Sequence, residues 1–109
     1  REMLLLEEGH CLRGQALDIC FSAGASEQPG FQATSLETLR HMVAEGMGMT
    51  LMPKLAVPAR TLKSDSIRYI PFIAPQPTRR IGILYRKGSY RQKTFDSIAE
   101  LIQEQMKAL

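Results

Sequence analysis

The residues with the most chemical potential in this sequence form one short segment, Gly9-His10-Cys11-Leu12-Arg13. A cysteine is a nucleophile when its thiol has lost the proton, and a helix N-terminus or a nearby cation favours that loss. We predict that a helix begins near Cys11, with His10 beside it and Arg13 half a turn further on. Each feature favours the thiolate. From the residues alone, the alternative is that Cys11 is a small buried apolar residue near a core histidine.

A second cysteine, Cys20, follows nine residues after Cys11. In a continuous helix the two are about 13.5 Å apart, because each residue adds about 1.5 Å. A disulfide needs Cα atoms roughly 4.4–6.8 Å apart. A bond between them therefore requires the helix to unwind, which Gly14 would make easier. If both thiols are accessible, this spacing predicts a reversible conformational switch.

Other catalytic and metal-binding patterns are missing from the sequence. There is no P-loop, GxGxxG, HExxH, CxxC or G-x-S-x-G motif. The residues that could bind zinc (His10, Cys11, Cys20 and His41) lack the paired spacing of structural zinc sites. We therefore expect neither a metal nor another cofactor, although two histidines leave a Ser-His-Asp triad open by composition.

Composition narrows the class of protein. The chain has 109 residues, of which 44% are hydrophobic, as in ordinary globular domains. Two cysteines are too few for a disulfide-rich secreted scaffold, and no apolar run approaches the ~20 residues of a membrane helix. No signal segment opens the chain. We expect a soluble, cytoplasmic fragment of a longer protein, with no membrane partner.

Positive charge is concentrated in one stretch. Six of the fourteen basic residues fall within fifteen positions: Arg79, Arg80, Arg86, Lys87, Arg91 and Lys93. Such a patch can contact phosphate or another anion, or it can be a solvated surface. Aromatic residues that stack on bases are sparse and tryptophan is absent, so the pattern does not favour nucleic-acid binding by this segment.

The apolar pattern predicts an α/β fold with a parallel sheet. Short apolar runs bounded by turn residues predict the strands, and 21–30 reads as a loop. The predicted strands are residues 3–6, 31–33, 47–53, 67–72 and 81–85. Because a helix of the right length separates 31–33 from 47–53, these three elements form a strand–helix–strand unit, which is typical of parallel sheets.

Three helices are predicted. The first begins near Cys11 and has Leu12, Ala16 and Ile19 on one face. The second begins at a capping box formed by Thr34 and Glu37 and ends at Gly46. The third follows the capping pair Ser89 and Gln92. Its apolar face consists of Phe95, Ile98, Ile102, Met106 and Leu109.

The sequence also resembles the peroxide-sensing members of the LysR-type transcriptional regulators. The resemblance rests on Gly9-His10-Cys11-Leu12-Arg13 with Cys20 nine positions later. It continues through residues 23–25, 33–40, 48–53, 55–58, 79–82, 85–86 and 88–89. It implies a periplasmic-binding-protein-like (type 2) sensor domain with two α/β subdomains.

The resemblance also implies a division of the chain. Residues 1–77 are expected to be most of regulatory subdomain two, with a redox-switch segment at 9–25. Residues 78–109 are expected to supply the return strand and C-terminal helix of regulatory subdomain one. The DNA-binding domain is expected to be absent from this fragment.

The same resemblance assigns roles around the first cysteine. Cys11 is implied to be the peroxidatic cysteine, which forms a sulfenic acid, and Cys20 the resolving cysteine, which closes a Cys11–Cys20 disulfide. His10 is implied to help hold peroxide, within a peroxide-binding segment of Gly9, His10, Cys11 and Leu12.

An arginine is implied to stabilise the thiolate. In the family an Arg-Arg pair and one further residue precede an Ile-Gly dipeptide, whereas here Arg79-Arg80 adjoin Ile81-Gly82 directly. Counting back from Gly82 selects Arg79, and Arg80 is the alternative.

The function implied is that of a redox-sensing regulatory domain of a hydrogen-peroxide-responsive transcription factor, not an enzyme. The implied partners are hydrogen peroxide, a second copy (a homodimer of regulatory domains and a homotetramer of the full-length protein), promoter DNA through the missing domain, RNA polymerase, and a glutaredoxin- or thioredoxin-type reductant.

The alternative is a LysR-type sensor that binds a small organic effector near Thr34 and Ser35, with incidental cysteines. A third class, a thiol peroxidase, would use the same Cys11 chemistry with rapid recycling.

Overall fold

The computed structural model describes residues 2–59 and 66–109. The chain forms two compact units, Arg1–Pro77 and Thr78–Leu109. The helices and strands, in chain order, are β1 (Glu2–Leu6), α1 (Cys11–Ser22), β2 (Ser26–Ala33), α2 (Leu36–Ala44), a short 3-10 turn (Lys54–Ala56) and α3 (Gln92–Lys107). The first unit is therefore α/β, as the sequence predicts, and the second contains α3.

The sheet consists of β1 and β2, which are parallel. Met3 pairs with Glu27 and Leu5 with Gln32. β2 therefore has more residues than β1 between these two pairing positions. The extra residues include Pro29-Gly30, where proline has no N–H to donate and Gly30 has a φ of +81°. The prediction of a loop over 21–30 was therefore wrong from Ser26 onwards, and its turn residues instead form an irregularity within β2.

Both faces of β1 are buried, because α1 and α2 cover them. Met3 and Leu5 pack with Ala16 and Cys20 of α1. The alternating residues Leu4 and Leu6 pack with Ala33 and, from α2, Leu39. Side chains alternate across a strand, so a run of four apolar residues supplies one core on each side of the sheet.

The predicted strand at 47–53 is reduced to one pairing position. Met49 bridges Met3 in the parallel direction, and the Met49 carbonyl accepts a hydrogen bond from the Leu4 N–H at 2.9 Å. Thr50 Oγ1 donates to the Leu4 carbonyl at 2.7 Å. Gly48 has a φ of +151°, outside the range of a regular strand, and Pro53 has no N–H. The chain therefore touches the free edge of β1 at one point.

The predicted start of α1 at Cys11 is confirmed, but its buried face differs from the prediction. The buried residues of α1 are Ala16 and Cys20, and Ile19 is only half-buried. The helix ends in a Schellman motif, in which the Ala25 N–H donates to the Cys20 carbonyl at 2.8 Å and Gly24 has a φ of +68°.

The capping residue of α2 is Ser35, and the predicted capping box of Thr34 with Glu37 was wrong. Ser35 Oγ accepts a hydrogen bond from the Thr38 N–H at 3.1 Å. Thr34 lies one residue too early, because the helix begins at Leu36. The predicted end at Gly46 is confirmed, since Gly46 has a φ of +79° and its N–H donates to the Val43 carbonyl.

The strands predicted at 67–72 and 81–85 do not form. No described residue pairs with either segment, and a strand needs a neighbour for its N–H and C=O groups. In the second unit, the ring centroids of Tyr85 and Phe95 are 5.2 Å apart. The predicted capping pair of Ser89 and Gln92 was also wrong, because Ser89 Oγ accepts from the Arg91 N–H, one residue before α3.

Candidate functional site

Cys11 lies at the junction between β1 and α1, at the carboxyl edge of the parallel sheet. Gly9 has a φ of +92°, which turns the chain after the strand at little cost for a glycine. His10 is the N-cap of α1, with an extended backbone and no side-chain capping bond. Cys11 is thus the first residue of the helix, and the first turn holds no acidic residue. The N-terminal partial positive charge of a helix favours an anion at this position.

The two cysteines have opposite environments. Cys11 is exposed, whereas Cys20 is buried, with only 2% of its surface accessible. Burial raises the pKa of the Cys20 thiol, and the negative charge of Glu27 raises it further. Cys20 is therefore held as a neutral thiol in the core, packed with Met3, Leu5 and Ala16.

The thiols cannot bond in this conformation. Both are free, and α1 is continuous from Cys11 to Ser22, so it holds both cysteines. Nine helical residues place them about 13.5 Å apart along the axis, well beyond the ~4.4–6.8 Å between the Cα atoms of a disulfide. Oxidation to a Cys11–Cys20 bond would require α1 to unwind.

Arg13 has a different role from the one expected. The sequence suggests it as a cation that favours the Cys11 thiolate, but its guanidinium is bound elsewhere. Its Nη1 donates to the Leu6 carbonyl at 2.7 Å and to Glu27 Oε1 at 2.8 Å, and its Nη2 donates to Glu27 Oε2 at 2.7 Å. Through these hydrogen bonds, Arg13 links the first turn of α1 to β1 and to β2.

Glu27 is the residue of this site that sequence reasoning missed. It falls in the segment read as a loop, and nothing in the sequence pairs it with an arginine fourteen positions earlier. Gln32 Nε2 also donates to Glu27 Oε1, at 3.0 Å. These hydrogen bonds, above all the one from Arg13, lower the pKa of the Glu27 carboxyl.

The remaining predicted site residues are Arg79 and Arg80, and Leu12 beside Cys11. Arg79 and Arg80 belong to the second unit, where both are exposed, as are the four other residues of the basic stretch. The roles proposed for Arg79 and Arg80 at the thiolate stay predictions. Leu12 is half-buried and packs on the α2 side of the sheet.

The hydroxyls expected near an organic effector are exposed and differ in function. Ser35 Oγ caps α2 and lies 3.0 Å from Thr38 Oγ1, while Thr34 precedes the cap. A cavity of about 90 Å³ lies elsewhere in the first unit, against Arg40, Thr50, Arg68 and Tyr69. Neither Thr34 nor Ser35 lines this cavity, and the effector alternative stays a prediction.

In the part of the chain that the structure describes, no three His, Cys, Asp or Glu side chains are grouped as metal ligands would be. Across residues 2–59 and 66–109, no helix is both long and apolar enough to cross a membrane.

Comparison with known proteins gives consistent matches over nearly the whole chain. The family described as "LysR substrate binding domain" matches residues 1–107. The chain is 52% identical over 105 residues to the "DNA-binding transcriptional dual regulator OxyR" of Escherichia coli K12, which covers 96% of this chain and 34% of that protein. It is 48% identical over 109 residues to the "Hydrogen peroxide-inducible genes activator" of Haemophilus influenzae, covering 100% of this chain and 36% of that protein.

A more distant relative has a similar name. The chain is 42% identical over 111 residues to a "Probable hydrogen peroxide-inducible genes activator" of Streptomyces viridosporus, covering 98% of this chain and 35% of that protein. The chain thus spans about a third of the length of the relatives it matches. No solved structure matches it.

Proposed function

Since this chain belongs to the LysR substrate-binding domain family, we propose that it is the redox-sensing part of a hydrogen-peroxide-responsive transcription regulator. The proposal places a reversible Cys11–Cys20 disulfide at its centre. One observation carries it: an exposed cysteine at a helix start and a buried cysteine nine residues later share one helix, α1. The relatives with peroxide-inducible names support the stimulus.

The chemistry follows two balanced steps. The Cys11 thiolate attacks one oxygen of hydrogen peroxide, the O–O bond breaks, and the leaving hydroxide takes a proton to become water. The sulfur is then a sulfenic acid. The Cys20 sulfur, once deprotonated, attacks the Cys11 sulfur, the S–O bond breaks, and a second water leaves. Two thiols and one peroxide thus give one disulfide and two waters.

The second step couples this chemistry to conformation. Cys20 leaves the cluster of Met3, Leu5 and Ala16, and α1 loses the turns between the two sulfurs. That loss opposes the bond and makes it easier to reduce than an unstrained structural disulfide. A regulator that must return to its resting state benefits from such a bond.

The full-length protein is proposed to work as an assembly. In this proposal residues 1–77 are regulatory subdomain two, and residues 78–109 complete subdomain one. His10 and Arg79 assist Cys11, with Arg80 as the alternative to Arg79, and peroxide is held by Gly9, His10, Cys11 and Leu12. The names of the relatives are those of regulators and activators, which supports a protein that is not an enzyme.

The proposed partners come from the same reasoning. Regulatory domains pair as homodimers within a homotetramer. The refolded segment changes the contacts between the paired domains. This change alters the spacing of the DNA-binding domains on promoter DNA and their contacts with RNA polymerase. A glutaredoxin- or thioredoxin-type reductant in the cytoplasm restores the thiols.

Intact-mass measurement after one equivalent of peroxide tests the proposal. The chain should lose about 2 Da, because two thiol hydrogens leave as the disulfide forms. Cys20→Ser should instead gain about 16 Da as a trappable sulfenic acid, and Cys11→Ser should not change. A mass loss that persists in Cys20→Ser would disprove the pairing. Repeated turnover with a reductant present would favour a peroxidase.

A further inference from the structure

Arg13 makes the most extensive set of side-chain contacts around the switch segment. It lies two residues after Cys11, in the first turn of α1, and its guanidinium binds the last carbonyl of β1 at Leu6 and both carboxylate oxygens of Glu27 in β2. The Arg13 and Glu27 side chains are only 12% and 25% exposed. A two-point arginine–carboxylate pair of this kind is strong and geometrically demanding.

The pair depends on the helical form of α1. A Cys11–Cys20 disulfide closes a ring of residues that includes Arg13. This ring cannot remain helical along its length. Because Arg13 lies only two residues from the sulfur that must move, we expect the backbone at Arg13 to change direction when the bond forms. The guanidinium then cannot keep both the Leu6 carbonyl and the Glu27 carboxylate at hydrogen-bond distance.

We propose that Arg13 and Glu27 act as positioning residues that hold α1 helical in the thiol form and thereby set how readily the Cys11–Cys20 bond forms. This inference rests on the proposed function. Its electrostatic consequence is that oxidation separates a largely buried ion pair and leaves the Glu27 carboxylate without its main donor, which is unfavourable. The pair therefore favours the reduced form.

Glu27 has a second connection to the same switch. Its negative charge acts on the Cys20 thiol, where it adds to burial in keeping the proton on the sulfur. The same carboxylate thus binds the Cys11 end of α1 through Arg13 and disfavours an anion at the Cys20 end. Loss of Glu27 should release α1 from the Arg13 contact, which shifts the equilibrium towards the disulfide. Separately, it should make the Cys20 thiolate easier to form, which affects the rate of the second step and not the direction of that equilibrium.

The test compares disulfide content at equilibrium in a glutathione buffer of fixed composition. Glu27→Gln keeps the shape of the side chain and removes its charge, and it should raise the ratio of oxidised to reduced chain about tenfold, in line with loss of charged hydrogen bonds. Arg13→Gln should have a similar effect, and the double variant should show no more than either single one. Arg13→Lys should fall between, because an ammonium cannot contact the three acceptors in the same geometry.

A second ion pair of the chain provides the matched control. Arg40 and Glu37 pair at 3.1 Å on α2, outside the switch segment. Glu37→Gln should leave the oxidised-to-reduced ratio unchanged. Equal oxidised-to-reduced ratios in wild type and Glu27→Gln, with the disulfide still forming in both, would overturn the positioning role. The proposed function would then remain standing.

A measurement on the unaltered chain covers the case in which a variant does not fold. The pKa of the Glu27 carboxyl, followed by NMR, should lie below its ordinary value in the reduced chain, because Arg13 donates to it. In the disulfide form it should return towards the ordinary value. An equally low value in both forms would show that the pair survives oxidation and would overturn the inference. If no disulfide forms at all, the proposed function fails and the inference with it.

Discussion

At the scale of single residues, the division of labour between the cysteines follows from their surroundings. Cys11 is open to solvent and lies where a helix favours negative charge, so it is the sulfur that a peroxide can reach first. Cys20 is surrounded by Met3, Leu5 and Ala16 and stays protonated there. A thiol of that kind reacts only after the chain has moved, which orders the two proposed steps.

The cap of α2 gives a residue-scale prediction. Ser35→Ala removes the oxygen that accepts the Thr38 N–H, so it should lower the free energy of unfolding by about 1 kcal/mol. Thr34→Ala is the control, because Thr34 does not cap the helix, and it should change stability by less than about 0.5 kcal/mol. Chemical denaturation of both variants measures the difference. A larger loss in Thr34→Ala would restore the capping box expected from sequence.

The Arg13–Glu27 pair predicts how stability depends on acid. The Glu27 carboxyl has a lowered pKa in the folded chain, against 4.5 in the absence of partners. Its contribution is complete above about pH 4.5 and is lost as the pH falls through the lower folded value, where protonation breaks the pair. The free energy of unfolding should therefore fall more steeply below about pH 4.5 in wild type than in Glu27→Gln. Parallel curves in urea titrations over this range would contradict the pair's contribution.

At the scale of elements, α1 has the features of a helix that can unwind. Its two buried residues, Ala16 and Cys20, are both small, and Cys20 carries the sulfur that must leave the core. Gly14 is the fourth residue of α1, inside the helix, where glycine weakens it. The Arg13 contacts and the Schellman motif at Gly24 hold the two ends. The contacts that hold α1 in place are therefore concentrated at its two ends.

Gly14→Ala tests this weakness. A Cβ at Gly14 would meet nothing within 4 Å, so alanine should stabilise α1 by about 1 kcal/mol. Since the disulfide form loses the helix, the bond should become easier to reduce, and its midpoint potential should rise by about 20 mV. Gln15→Ala is the control in the same helix, because glutamine is already a good helix former. An unchanged potential in Gly14→Ala, with a higher melting temperature, would mean that α1 stays helical on oxidation.

At the scale of the whole molecule, stability is concentrated in the first unit. All the buried residues of the described chain lie on β1, α1, β2 and α2, whereas α3 has none. The apolar face predicted for α3 is largely open, with Ile98, Ile102 and Met106 between 44% and 49% exposed. In this chain, α3 therefore adds little hydrophobic stabilisation.

A pair of substitutions measures that contrast. Leu39→Ala removes a side chain with 2% exposure from the core on the α2 side and should cost about 2–5 kcal/mol. Ile102→Gln on α3 should change the free energy of unfolding by less than about 0.5 kcal/mol. Denaturation monitored by circular dichroism gives both values. A loss of several kcal/mol in Ile102→Gln would show that α3 is packed in solution.

The sequence by itself determined the features that depend on neighbouring residues. The helix start at Cys11, the end of α2 at Gly46, the buried run at β1 and the spacing of Cys11 from Cys20 were all readable, because turns, caps and periodicity act over a few residues. The resemblance that identified the family also rests on such short segments.

Only the tertiary structure decided which groups meet across the chain. Arg13 pairs with Glu27, Cys20 enters a core with Met3, and the segment at Met49 pairs at a single position. Among the described residues, 67–72 and 81–85 have no strand partner. Burial, ion pairing and strand formation each require a partner from a distant part of the chain. A local pattern records the capacity for such a contact but not the partner that completes it.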